Sequence, residues 1–207
     1  MMNHFDTDGM SPRFVLASAS PARAALLRQI GLRFEVMPSR IREDDIASES
    51  PVDKVISLSR AKAQHVTRYF TDRVIIAADT VVVHDDVILG KPENEDAAGD
   101  MLRLLSGSWH QVVTGLTVVD ASTGASASCH DATQVRMRQL TPEAISAYVR
   151  SGEPLGKAGA YAIQGSGGIF IESIKGCYFN VVGLPLAKLV NIFYDIGINI
   201  YDEIFRR

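Results

Sequence analysis

Residues 74–83 read Val-Ile-Ile-Ala-Ala-Asp-Thr-Val-Val-Val, and this run constrains the fold more than any other segment. It is β-branched and almost continuously apolar, the pattern of a strand buried within a sheet rather than one wetted on one face. Asp79 interrupts it. A carboxylate there is costly to bury without a partner. A metal, a lysine or a reacting water would account for it, and so would a strand bend capped by backbone amides.

The flanking segments alternate between strand and helix signals. Phe14 to Ala17 is a short apolar strand. Ser20 then offers an N-cap, Pro21 fits the first helical position and Gly31 closes the helix. A second helix is expected from Ser50-Pro51 toward Tyr69. Asp85-Asp86 marks a turn before a short strand at Val87–Leu89. Asn94 caps a helix through Leu105, ended by Gly107. Val112–Val119 and Ala132–Met137 read as strands, and Thr141-Pro142 opens a helix toward Gly152. After a glycine-rich stretch, Ile169–Ile174 and Tyr178–Val182 read as a strand pair. Leu184-Pro185 starts the last helix, closing near Gly197. Interleaved elements without a strict βαβ period predict an α/β or α+β fold with a mixed sheet.

The 207 residues carry 46% hydrophobic and 22% charged side chains, enough apolar content for one domain or one domain split by a cleft. Residues 1–12 are polar and read as a loose tail, leaving 13–207 as the domain. Net charge is −3 with no Lys/Arg run, which argues against nucleic acid as partner. No apolar run approaches the ~20 residues of a membrane span. Cys129 and Cys177 stand far apart, without CxxC spacing, so a disulfide framework and a zinc site are both disfavoured; isolated thiols suit a reducing cytoplasm. Neither GxGxxG nor GxxxxGK[ST] occurs.

Several residues can carry phosphate chemistry. At Ser18-Ala19-Ser20-Pro21-Ala22-Arg23 a strand gives way to a helix start, where free amides and the dipole favour an anion. Ser18 and Ser20 add hydroxyls and Arg23 a fork that fits phosphate oxygens; taken alone, these six residues read first as an ordinary N-cap with a surface arginine. Lys62 falls on the helix face of Val55, Leu58, Ser59 and Val66, either snorkelling to water or entering a polar cleft. Lys91, between Gly90 and Pro92, is a rigidly presented cation or a solvated turn residue. Glu43 lies in an acidic loop and, with Asp79, can supply hard oxygen ligands for Mg²⁺. Gln164, in the segment from Gly156 to Gly165, can read a base edge with its paired donor and acceptor, or sit solvated in a connector. His110 reads as structural, since no Ser-His-Asp or Cys-His arrangement is evident.

Together these segments resemble the Maf family. The matching motifs, in order, are Leu16-Ala17-Ser18-Ala19-Ser20-Pro21, Ala78-Asp79-Thr80-Val81-Val82, Gly90-Lys91-Pro92, Leu105-Ser106-Gly107 with His110, Thr114-Gly115, Lys157-Ala158-Gly159-Ala160-Tyr161 with Ile163-Gln164-Gly165, and Asn180-Val181-Val182-Gly183-Leu184-Pro185. The resemblance implies two lobes around a central cleft, like inosine-triphosphate pyrophosphatases, and hydrolysis of a nucleoside triphosphate to monophosphate and pyrophosphate with Mg²⁺ or Mn²⁺. It implies Asp79 as general base, Glu43 near the metal, Arg23, Lys62 and Lys91 near the phosphates, and Thr80 and Gln164 in base choice. Where the family usually has a second arginine after Ser-Pro, this chain has Ala22, a position tied to substrate choice. Tyr161-Ala162-Ile163-Gln164 resembles the type acting on dTTP and UTP, whereas the 7-methyl-GTP type carries a glutamate at the amide position. An inosine- or xanthosine-triphosphate pyrophosphatase and a non-enzymatic septum-formation regulator are the rival readings, separable by pyrophosphate release. Oligomeric state is left open, a homodimer included.

Overall fold

The computed structural model describes residues 12–43, Ile46 and 48–205. Apart from Pro12, the expected tail lies outside the described residues, as do Asp44 and Asp45 of the acidic loop. The elements run β1 (Phe14–Leu16), α1 (Pro21–Gln29), β2 (Phe34–Val36), α2 (Pro51–Thr67), β3 (Val74–His84), β4 (Val87–Leu89), α3 (Glu95–Leu105), β5 (Trp109–Asp120), β6 (Ser126–Met137), α4 (Pro142–Arg150), β7 (Ile171–Lys175), α5 (Tyr178–Val182), α6 (Leu186–Asp195) and α7 (Ile200–Ile204). Short 3-10 turns occupy Ala158–Ala160 and Ser166–Phe170.

The helix starts follow their capping chemistry. The side chains of Ser20, Ser50, Asn94 and Thr141 each accept a backbone N–H three residues on, at 2.8–3.4 Å, satisfying amides that the first turn leaves unpaired. Proline stands at the start of α1, α2 and α4.

The seven strands form one mixed sheet in the order β2-β1-β3-β5-β6-β7, with β4 on β3. β2, β1 and β3 are parallel, and the remaining pairings are antiparallel. Alternation along β3 divides the core. Ile75, Ala77 and Val81 pack under α2 with Val15, Ala63, Val66, Val55 and Val113. On the opposite face two larger cores sit at the two ends of the sheet. One joins Phe14, Leu16, Leu27, Ile76, Leu116 and Phe193. The other joins Val82, Leu102, Val112, Met137, Tyr148 and Phe170. Pairing of β3 with β1 ends at Ile76 and pairing with β4 begins at Val82. The intervening edge of β3 is where a cleft opens between the two cores.

Gly115 of β5 explains how α2 reaches this place. It pairs directly with Asp79, so both face α2. A Cβ on Gly115 would collide with the backbone of Val55 and Ile56. The missing side chain lets the helix close onto the sheet, where Ser59 and Thr117 share a hydrogen bond of 2.8 Å.

Three expectations need correction. Tyr178–Val182 is a helix, not a strand: its turn directs Asn180 inward, onto the Val112 carbonyl and Thr133 hydroxyl, both at 3.0 Å, and Gly183 at φ 114° ends it. The partner segment is a strand only from Ile171, and it pairs with β6. β6 itself starts at Ser126, six residues before the expected Ala132, because its polar first half is held by cross-strand pairing with β5 rather than by an apolar pattern. β2 and α7, too short to show a period, went unanticipated.

Candidate active site

The cleft has a volume of about 610 Å³. All ten positions singled out in the sequence line it: Ser18, Ser20, Ala22 and Arg23 from the β1–α1 turn, Glu43 from the following loop, Lys62 from α2, Asp79 and Thr80 from β3, Lys91 after β4, and Gln164 from the glycine-rich loop.

Lys62 and Asp79 are buried, each 7% exposed, and they meet. Lys62 Nζ donates to Asp79 Oδ1 at 2.5 Å and lies 2.7 Å from Glu43 Oε1. The lysine in the apolar stripe of α2 therefore enters the cleft instead of snorkelling. It answers the cost of burying Asp79, because a buried charge is tolerated when paired and hydrogen-bonded. Partial burial works against the charged form of Glu43, but the hydrogen bond and charge of Lys62, with Lys91 and Arg23 beyond, outweigh it and hold the carboxyl below its ordinary range.

Arg23 is placed differently from the open phosphate fork of the sequence reading. Nε donates to the Gly183 carbonyl at 2.8 Å, one terminal nitrogen to Ser18 Oγ at 3.1 Å and the other to Thr80 Oγ1 at 2.9 Å. It straps the β1–α1 turn to β3 and to the end of α5, with one N–H per terminal nitrogen still uncommitted. Burial lowers its pKa, opposed by the charges of Asp79 and Glu43.

Thr80 points to the face opposite Asp79 and opens a polar chain. Its hydroxyl meets Thr114 Oγ1 at 2.9 Å, and Thr114 donates to the Asn180 carbonyl at 3.1 Å. Sequence reasoning did not assign Thr114 or Asn180 to the site, since nothing local links residues 66 positions apart. Lys157 and Tyr161 also line the cleft without having been assigned; the glycine at 156 was the available signal for Lys157. The Gly159 amide donates to the Gly90 carbonyl at 3.0 Å, which ties this segment to the turn bearing Lys91. His110 lies behind Tyr161, its Nε2 2.8 Å from the phenol oxygen. Burial, with a smaller contribution from His84, pushes its pKa down to about 4.

Chemically, the cleft concentrates lysines, serine hydroxyls and a helix start around two carboxylates, and presents an exposed carboxamide, Gln164, from a different loop.

Residues 13–196 match the family model described as "Maf-like protein". A dTTP/UTP pyrophosphatase of Moorella thermoacetica is 45% identical over 93% of this chain and 99% of its own length. One of Desulforamulus reducens is 47% identical over 90% of this chain and 97% of its own, and one of Methanosarcina mazei 45% over 93% and 98%. Among solved structures, a HAM1 protein from Coxiella burnetii aligns with TM-score 0.49 and 14% identity over 88% of this chain and 98% of that one.

Proposed function

The chain belongs to the Maf-like protein family, and on that premise we propose that it hydrolyses nucleoside triphosphates, dTTP and UTP foremost, to the monophosphate and pyrophosphate. The observation that carries this reading is the Glu43–Lys62–Asp79 contact at 2.7 and 2.5 Å inside a cleft bordered by Lys91 and a helix start. Such a protein removes unwanted or modified nucleotides from the cytoplasmic pool, a location that its two free thiols suit.

In this mechanism Asp79 orients the attacking water and takes its proton as the water adds to the α-phosphorus. Lys62 holds Asp79 in place and offsets the charge of both carboxylates, which would otherwise repel the polyphosphate. Lys91, the amides at the start of α1 and the hydroxyls of Ser18 and Ser20 stabilise charge developing on the departing pyrophosphate. Arg23 keeps the β1–α1 turn and Thr80 in register and offers its two remaining N–H groups. Glu43 and Asp79 are hard oxygen donors that would hold Mg²⁺ or Mn²⁺ through their second carboxylate oxygens, because Glu43 Oε1 and Asp79 Oδ1 meet at Lys62 Nζ. Among the described residues no third His, Cys, Asp or Glu forms a cluster with them, and two carboxylates would suit Mg²⁺, which is commonly bound by one or two carboxylates together with substrate phosphates. Such an ion would polarise a phosphoryl oxygen.

Gln164, Thr80 and Ala22 are the specificity positions of this reading. The carboxamide pairs with the N3 donor and O4 acceptor of uracil or thymine, a contact contributing about 1–3 kcal/mol of discrimination by analogy with amide–base pairs. Pyrophosphate release from UTP, dTTP, CTP, ITP and 7-methyl-GTP tests the proposal. UTP and dTTP are expected to lead, and Gln164→Glu is expected to lower their kcat/KM. A wild-type preference for 7-methyl-GTP would overturn the pyrimidine assignment, and no pyrophosphate from any nucleotide would overturn the activity.

A further inference from the structure

The loop bearing Gln164 is rich in glycine and small residues, and its backbone has little of its own to hold one conformation. Within the loop, the Gly165 amide reaches the Ala162 carbonyl and the Gly168 amide the Gly165 carbonyl, both at 3.1 Å. The tertiary ties that flank Gln164 directly, at residues 162, 166 and 167, converge on one carboxylate. Glu153 Oε2 accepts from the Ser166 amide at 3.0 Å and the Ser166 hydroxyl at 2.9 Å. Its Oε1 accepts from the Gly167 amide at 3.0 Å and the Tyr148 hydroxyl at 2.8 Å. Tyr148 Oη in turn accepts from the Ala162 amide at 3.2 Å. Gln164 is thus bracketed on both sides, at 162 and at 166–167, by a clamp whose centre is Glu153. Gln164 itself is exposed at the cleft.

We propose that Glu153 is a positioning residue for nucleotide selection: it fixes the loop so that Gln164 meets the base at a set height and angle, without touching substrate. The inference rests on Gln164 as base reader. All four groups facing Glu153 are donors, so an ionised carboxylate satisfies every one of them. A carboxamide cannot, because its NH₂ would meet the Ser166 or Gly167 donors. Discrimination by a hydrogen-bonding side chain depends on its being held in place before the ligand arrives.

The test compares Glu153→Gln, Tyr148→Phe, Gln164→Ala and the double variant Glu153→Gln/Gln164→Ala, reading kcat and KM for UTP and 7-methyl-GTP, with Tm recorded for each. Glu153→Gln is expected to lower the UTP:7-methyl-GTP ratio of kcat/KM about tenfold, mainly through a higher KM for UTP, with kcat nearly retained. Tyr148→Phe keeps its ring against Phe170 and should move the ratio the same way by less. The double variant should discriminate no worse than Gln164→Ala, the signature of two residues acting through one contact. Equal losses for both nucleotides tracking a fall in Tm would overturn the proposal, reducing Glu153 to a structural brace. If Gln164→Ala erases discrimination and Glu153→Gln does not, the clamp fails and Gln164 survives as reader. If Gln164→Ala leaves the ratio unchanged, both readings fall.

Discussion

Asp79, Lys62 and Glu43 show how one residue's cost becomes another's purpose. A carboxylate in the middle of an apolar strand demands a partner, and Lys62 supplies it at 2.5 Å. In the proposed reaction the same carboxylate accepts the water's proton. Asp79→Asn preserves shape while removing the base, so kcat for UTP should fall about 10²-fold or more with the fold retained; near-wild-type turnover by the variant would refute the role. His110 supports a different expectation. Its ordinary pKa is 6.5 and burial lowers it to about 4 in the folded chain. Between those values the unfolded chain binds a proton that the folded one does not. Stability from this residue is therefore present above about pH 6.5 and lost as pH falls toward 4, by up to about 3 kcal/mol. Melting curves across that window should show a steeper acid loss for wild type than for His110→Gln, which retains a hydrogen-bonding group for Tyr161. Parallel curves would show that His110 does not titrate as its burial implies.

At the scale of elements, the site depends on how α2 seats against β3 and β5. The helix carries Lys62, and at Gly115 its backbone comes so close that a Cβ would meet Val55 and Ile56. Gly115→Ala puts a Cβ against the backbone of Val55 and Ile56, which no side-chain rotation relieves. The expected cost is about 1–3 kcal/mol, typical of overpacking, or several degrees of Tm. Because the clash displaces the helix that carries Lys62, kcat should fall by more than the loss of folded protein explains. An unchanged kcat at a temperature where the variant stays folded would show that Lys62 tolerates the shift. The short helix α5 teaches the complementary point. Val181 and Val182 favour a strand by local preference, yet burial of Asn180 on Val112 and Thr133 decides for a helical turn, with Gly183 free to adopt the positive φ that ends it.

For the molecule as a whole, the cleft opens at the edge of β3 between two cores on one face of the sheet, with Lys62 and Asp79 entering from the α2 face. Ser18 and Arg23 line it from the β1–α1 turn, whose helix packs into one core, and Tyr161, a member of the other core, lines it with Lys91 and Gln164. A nucleotide that engages both should stabilise the native chain by mass action, about 2.7 kcal/mol at a hundredfold excess over Kd. Asp79→Asn, with its slowed turnover, lets UTP persist through the measurement. A rise in Tm of several degrees with UTP is expected, and a smaller one for Asp79→Asn/Gln164→Ala. No shift at saturating UTP would show that the nucleotide does not bridge the cores.

The sequence by itself determined what depends on near neighbours: the helix starts at Ser20, Ser50, Asn94 and Thr141, the buried strand Val74–Val83, and the residue types able to handle a triphosphate. Those signals are legible because a cap or a β-branched run acts within a few positions of itself. Only the tertiary structure decided that Lys62 enters the cleft rather than reaching water, that Arg23 spends three donors on Ser18, Thr80 and Gly183, and that Glu153 holds the Gln164 loop. Each of these rests on groups that are distant in sequence, 17 residues apart for Lys62 and Asp79 and 160 for Arg23 and Gly183. They become neighbours only when α2 seats on Gly115 and α5 turns Asn180 inward. Hydrogen bonds act over about 3 Å, so which donor meets which acceptor is settled by packing, and no pattern along the chain encodes it.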